Sequence, residues 1–476
     1  MGERAQSLEP MTVDPLTLVA GRRAESAAPQ GRQLVVAAAV LAATLALSAR
    51  LVYFIWDHAV NVLFWDQWDL YRAIMAGDGP WLLFARPHGP VRLGAGQLLT
   101  TVVANATAWD SRAESMALGA VLIIAALLAL ALKRRLFGSL GPADIAIPLI
   151  VLTTAQYENL IGTPFAAHPA AIALLMLFAL AWTLPKGIGR AVAVTGLAAV
   201  LTYTAYGLFV APVALGLLGL AAYRQLRAGE RPLAAASVLG GAAIVAVLYA
   251  YTRGLHVQPL DCYRFPDPEP LNYGQFVAFM YAAFLGIDLT LPRLASLAGA
   301  VLLAAALGGL AVNFIVLLRR AAPQRLAAAQ AIVALLGFSL AFSAATAVGR
   351  MCLGLPAAQS SRYMTLLIPA FLGLYLSALL LRGTWVRRAI LTVVLLGVAG
   401  GWLPTLSGGA NPRPHSADWY RQVKQSWQAC YLRSEDVAGC NAATGYEIHP
   451  RSGEPYFAEL LNYMRENRLS LYADGP

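Results

Sequence analysis

Asp66 and Asp69 stand three residues apart in Phe64-Trp65-Asp66-Gln67-Trp68-Asp69-Leu70-Tyr71, directly after the first long apolar run. On a helix this spacing puts both carboxylates on one face. One carboxylate suits a general base that takes the proton of an acceptor hydroxyl. The other suits an orienting group or a ligand for a divalent metal. The competing reading is an interfacial helix with solvated acids and an aromatic belt of Trp56, Trp65 and Trp68. Shortly downstream, Arg86-Pro87-His88-Gly89-Pro90-Val91-Arg92 sets His88 and Arg92 on proline-stiffened backbone. Cationic donors on rigid backbone suit a phosphate, which guanidinium groups bind through paired hydrogen bonds. They suit lipid headgroups equally well.

Three more polar interruptions fall between apolar runs: Glu158-Asn159, Gly349-Arg350 and Ser361-Arg362-Tyr363. Glu158 has two readings, an ion pair with an arginine of another loop or contact with a sugar hydroxyl, and the structural one leads slightly. Arg350 and Arg362 suit a diphosphate or lipid phosphate at the membrane surface. Each also suits a plain ion pair with Asp66, Asp69 or Glu158. Ionisable groups near membrane depth cost up to about 2.5–3.5 kcal/mol on insertion scales, so they tend to be paired or used.

The elements that must hold these groups are membrane helices. Of 476 residues, 58% are hydrophobic and 13% charged, with a mean hydropathy of +0.60. A soluble domain has about a quarter of its residues charged, so an all-α polytopic membrane protein is expected. About eleven apolar runs follow one another from residue 33 to 405. Three parts result: a cytoplasmic tail at 1–32, a transmembrane domain at 33–405, and a soluble tail at 406–476. The first loop, 56–112, has room for one or two interfacial helices. The loop 253–292 has room for a re-entrant or interfacial helix near Phe276–Phe284.

The net charge of +10 arises from short clusters at 133–135, 186–190, 224–231, 319–325 and 382–388. With the N-terminus in the cytoplasm, all five lie inside, which the positive-inside rule favours, and the C-terminal tail lies outside. No nucleic-acid motif accompanies the positive charge, and no P-loop, HExxH, GxSxG or dinucleotide fingerprint appears in context. The same orientation puts Asp66, Asp69, His88, Arg92, Glu158, Asn159, Arg350 and Arg362 on the outer face. Cys262, Cys352, Cys430 and Cys440 join them there, in an oxidising compartment where disulfides persist. Cys430 and Cys440 are close enough to staple a loop of the tail, and a Cys262–Cys352 pair is allowed.

An acidic motif in the first external loop resembles the GT-C type polyprenyl-phosphate-sugar glycosyltransferases. The chain is similar in particular to a subgroup of bacterial multi-spanning proteins within that group. Phe64-Trp65-Asp66-Gln67-Trp68, Gln156-Tyr157-Glu158-Asn159-Leu160, Gly349-Arg350 and Ser361-Arg362-Tyr363 carry the resemblance by their order across residues 33–405. The chain departs from the pattern at Arg86–Arg92, where only His88 and a later arginine persist, and at Ile161-Gly162-Thr163-Pro164-Phe165. The resemblance implies a GT-C-like bundle in the bacterial inner membrane and an inverting sugar transfer at its outer face. Asp66 would be the base, with Asp69 in support. The outer cations would stabilise the leaving phosphate. His88, Arg92, Glu158, Asn159, Arg350, Arg362 and Tyr363 would bind donor or acceptor. The partners implied are the bilayer, a polyprenyl-phosphate-linked sugar and an envelope glycan, lipid or protein. Two other classes stay open: a transporter or flippase for a lipid-linked sugar, and a non-catalytic subunit of an envelope-polymer assembly.

Overall fold

A computed structural model describes residues 30–255, 260–319, 322–381 and 415–473, with isolated positions between 387 and 399. Apart from one two-stranded hairpin, the described chain is helical, as an apolar solvent demands. With no water to satisfy free backbone amides and carbonyls, a spanning segment must pair them internally. Among the described residues, seven helices are long and apolar enough to cross a membrane. They are α1 (Gln30–His58), α5 (Ser111–Phe137), α9 (Val210–Arg227), α10 (Arg231–Thr252), α12 (Pro292–Leu318), α13 (Pro323–Arg350) and α14 (Met364–Leu379). The chain is a multi-pass helical membrane protein.

Three of the expected spans are shorter. Residues 142–156 form a broken rod around α6 (Ala146–Val151), followed by α7 (Ala167–Ala181) and α8 (Ile188–Thr202). At 1.5 Å per residue, a 15-residue helix reaches only about 22 Å. Pro142 opens the first and Pro148 sits in the first turn of α6, while Pro164 and Pro185 flank α7. The eleventh expected span, apart from those isolated positions, and residues 1–29 of the tail expected at 1–32 lie outside the described residues.

Among the described residues, three of the basic clusters tie neighbouring helix ends together. Lys133 pairs with Asp144 at 2.5 Å, Lys186 pairs with Glu230, and Arg224 donates to the Leu317 carbonyl at the end of α12. The polar interruptions sit at the other ends of the same helices. The first loop builds α2 (Asp66–Met75), α3 (Pro80–Ala85), a hairpin of β1 (Pro87–His88) and β2 (Val91–Arg92), and α4 (Ala95–Ala106). Gly94 permits the hairpin's exit. Its φ is +55°, and a Cβ there would collide with the Tyr203 carbonyl and Thr204.

The expected helix near Phe276–Phe284 is present as α11 (Leu271–Phe284), and of the two alternatives for it the interfacial one does not hold. Phe276 and Phe279 to Ala282 are buried, because α11 packs between α12, α13 and α14. The described part of the tail, 415–473, packs against the rest of the chain. It folds as α15 (Ala417–Ser434), α16 (Val437–Thr444) and α17 (Pro455–Glu466) and docks on the first loop. Trp68 is fully buried and meets Phe457 of α17 at a ring separation of 4.2 Å. The Lys424 ammonium donates to the Ile161 carbonyl at 2.9 Å. Burial pushes that lysine down to about 7, with Glu114 opposing the shift. Disulfides join Cys430 to Cys440 and Cys262 to Cys352.

Candidate functional site

Helix α2 begins at Asp66 for local reasons. Asp66 and Asp69 occupy its first turn, where the positive end of the helix dipole favours acids. The preceding residue, Trp65, has φ +50°, a left-handed conformation that costs of order 1–3 kcal/mol for a non-glycine residue. The tail holds it there, since the Trp65 amide donates to the Ile448 carbonyl at 3.0 Å. The inner face of α2 is fixed by fully buried Glu114 of α5. Gln67 donates to Glu114 at 2.8 Å, Tyr71 at 3.0 Å, and Thr100 of α4 at 2.6 Å. Three donors satisfy a carboxylate that would otherwise be prohibitive to bury.

So anchored, α2 turns Asp66 into a cavity of about 610 Å³. The Arg362 guanidinium reaches Asp66 at 2.9 Å and Glu158 at 2.5 Å. It also donates to the Thr163 hydroxyl at 3.2 Å and lies 5.7 Å over the Trp65 ring. The His88 imidazole stands 3.6 Å from the other Asp66 oxygen. Burial by itself would raise the Asp66 carboxyl; the His88 ring and the Arg362 charge outweigh it and hold the group well below the ordinary carboxylate range. At neutral pH Asp66 is therefore an anion.

Glu158 opens a π-helical turn, Glu158–Gly162, a local distortion common at functional sites. Asn159 locks that turn to the Arg362 segment. Its side-chain amide donates to the Arg362 carbonyl at 2.8 Å and to Thr365 at 2.9 Å, and Thr365 donates on to Gln156. Arg350, at the end of α13, lines the same cavity, as does Tyr363. Among the described residues Arg350 has no carboxylate partner. Arg362 is thus a cation already matched by two acids, whereas Arg350 is a cation still to be matched.

Two of the expected site residues face elsewhere. Asp69 is bound by Arg451 at 2.8 Å, with His449 at 3.8 Å, so it pins the tail. Arg92 is only 6% exposed and donates to the carbonyls of Tyr251, Ala85 and Arg253, closing the end of α10. It also lies over the Tyr203 and Tyr251 rings. Neither residue lines the cavity. Among the described residues no three His, Cys, Asp or Glu side chains gather as a metal-binding group.

Several cavity residues were not singled out from the sequence. His168 and Tyr206 come from helix starts at α7 and before α9, while His415, Tyr420 and Tyr446 come from the tail. Glu114 was missed as the anchor of α2; it stands immediately before the apolar run that begins at Ser115. The chain matches no protein-family model and no curated protein sequence.

Proposed function

We propose that this protein is an inverting glycosyltransferase that takes its sugar from a polyprenyl phosphate. The acceptor is a glycan, lipid or protein of the cell envelope. In this reading the cavity end of the bundle faces the outside of a bacterial plasma membrane, and the basic clusters face the cytoplasm. The observation that carries it is the pairing, in one 610 Å³ cavity, of an ionised Asp66 with an unmatched Arg350. A donor ending in a phosphate supplies the missing negative charge, and its lipid belongs in the surrounding bilayer.

The chemistry divides between these groups. The acceptor oxygen attacks the anomeric carbon as the bond from that carbon to the phosphate oxygen breaks. The acceptor proton passes to Asp66, and the bonding pair leaves with the phosphate. Preorganised cations aimed at the departing oxygen lower the barrier most; Arg350 is the first of them. A carboxylate held this far below its ordinary range is a weak base. The mechanism therefore requires Arg362 to slide from Asp66 towards the incoming phosphate, which restores basicity to Asp66 when the donor is seated. Glu158 and Asn159 keep Arg362 within reach during that exchange.

The test is transfer in cells that depend on this chain, with wild type and Asp66→Asn expressed to equal levels. The variant is expected to lose the glycan modification while folding normally. Full complementation by Asp66→Asn would remove Asp66 as the base.

A further inference from the structure

The tail contributes His415, Tyr420 and Tyr446 to the cavity wall, and each is placed by contacts to the membrane domain. Tyr157 donates to the His415 carbonyl at 2.7 Å. The Tyr446 ring stacks on Phe64 at 5.1 Å with 15° between planes, and Trp419 meets its edge at 4.6 Å. Tyr420 stands edge-on to both Trp419 and Phe64. These rings are braced, so little side-chain freedom remains to be lost when a ligand binds.

Among the described residues, the hydroxyls of Tyr206, Tyr363, Tyr420 and Tyr446 have no protein hydrogen-bond partner. The Trp65 indole N–H is buried and also lacks one. Burial pushes the Tyr420 and Tyr446 hydroxyls up, so both remain donors at any physiological pH. The wall is thus aromatic in its faces and rich in unmatched donors and acceptors at its edges.

We propose that this tail wall is a carbohydrate subsite, where Tyr420 and Tyr446, with Trp65, hold a hexopyranose ring. The inference rests on the transferase reading above and assigns the cavity's two parts: sugar at the tail wall, phosphate at Arg350. A pyranose has C–H faces that pack on the negative faces of aromatic rings, and hydroxyls around its rim that meet the phenols. A prenyl chain would cover the same rings but leave those polar atoms desolvated and unpaired, an unfavourable exchange. The tail then selects the sugar, while the membrane helices carry the reacting groups.

Full-length protein in detergent is titrated with a panel of methyl hexopyranosides and, separately, with methyl phosphate, read by saturation-transfer NMR. At least one hexopyranoside is expected to bind saturably. The double variant Tyr420→Phe/Tyr446→Phe keeps the rings and their packing on Phe64, and is expected to weaken that sugar by about tenfold. Methyl phosphate is expected to be unaffected by that pair and lost in Arg350→Gln. Failure of the whole panel to bind overturns the proposal, as does sugar affinity in the double variant within about twofold of wild type. A prenyl alcohol binding where no sugar does also overturns it and gives the wall to the lipid. Sugar binding by Asp66→Asn protein keeps the subsite separate from the reaction: lost binding in the tyrosine variants judges the subsite, and retained transfer in Asp66→Asn judges the transferase reading.

Discussion

Helix α14 and the turn before it carry a charge network at each end. Arg362 and Tyr375 lie 13 residues apart, about 20 Å along the axis. At the Tyr375 end every partner is taken. Asp144 accepts from Lys133 at 2.5 Å, from the Tyr375 hydroxyl at 2.5 Å and from the Gly141 amide at 2.6 Å. The side chains of Lys133 and Asp144 are 8% and 1% exposed. At the Arg362 end, Arg362 and Asp66 are each 28% exposed, and among the described residues Arg350 has no carboxylate partner and several tyrosine hydroxyls have no hydrogen-bond partner. Both networks contain a cation, an acid and a phenol. A closed network registers helices; an open one in a cavity waits for a ligand.

Substitutions at the two ends should therefore fail in different ways. Asp66→Asn is expected to lower transfer by roughly 10²–10⁴, the worth of a positioned proton acceptor, with the melting temperature in detergent nearly unchanged. Asp144→Ala is expected to do the reverse. It strands a buried ammonium, a change that costs about 3–5 kcal/mol, so folded yield should collapse while any folded fraction keeps its activity per molecule. The double variant Lys133→Met/Asp144→Leu should recover part of that stability, because an apolar pair replaces the buried ion pair at little cost while the Tyr375 hydroxyl and Gly141 amide stay unpaired. Equal effects of Asp66→Asn and Asp144→Ala on stability would erase the distinction between the ends.

Arg350→Gln sharpens the open end. It removes a cation with no acid beside it, so stability should hold. A charge-assisted contact to phosphate is worth about 1.5–3 kcal/mol, so KM for the lipid donor should rise roughly tenfold to a hundredfold. Arg362→Gln should differ, since it strands Asp66 and Glu158 against each other and costs stability as well.

The sequence reveals the open end better than the closed one, and the reason is physical. Asp66, Glu158, Arg350 and Arg362 each interrupt or end an apolar run, and alternating helices bring such interruptions to one face. Their convergence in the cavity follows from topology alone. The fine choices do not. Asp66 and Asp69 share a helix face in sequence, yet a tail residue almost 400 positions away, Arg451, claims only Asp69. Arg92 lies two residues beyond cavity-lining Pro90, but it is drawn back to the exposed carbonyls at the end of α10. The tail has no long apolar run, so its composition reads as a separate soluble unit. Trp427, Phe457 and Tyr420 are buried instead, and nothing in their spacing names a partner hundreds of residues upstream. Short helices such as α7 and α8 blur for another reason: apolar content shows that a segment is buried, while prolines decide how long it stays helical.

Asp69 offers the smallest effect and the cleanest contrast with its neighbour on α2. Its pair with Arg451 is partly exposed, and such pairs are worth about 1 kcal/mol or less. Burial would raise its carboxyl, but His449 and the Arg451 charge hold it below its ordinary value. A group whose folded value is depressed stabilises the fold above its unfolded pKa of about 3.9 and loses that contribution as pH falls through the folded value. Asp69→Asn should therefore loosen the tail slightly at neutral pH, seen as faster hydrogen exchange in α15 and α17. The difference from wild type should vanish in acid, below both values. Transfer should be cut far less than by Asp66→Asn, and only as much as a looser tail wall admits. A loss of transfer as deep as that of Asp66→Asn, with exchange in the tail unchanged, would move Asp69 from the tail's anchor into the reaction.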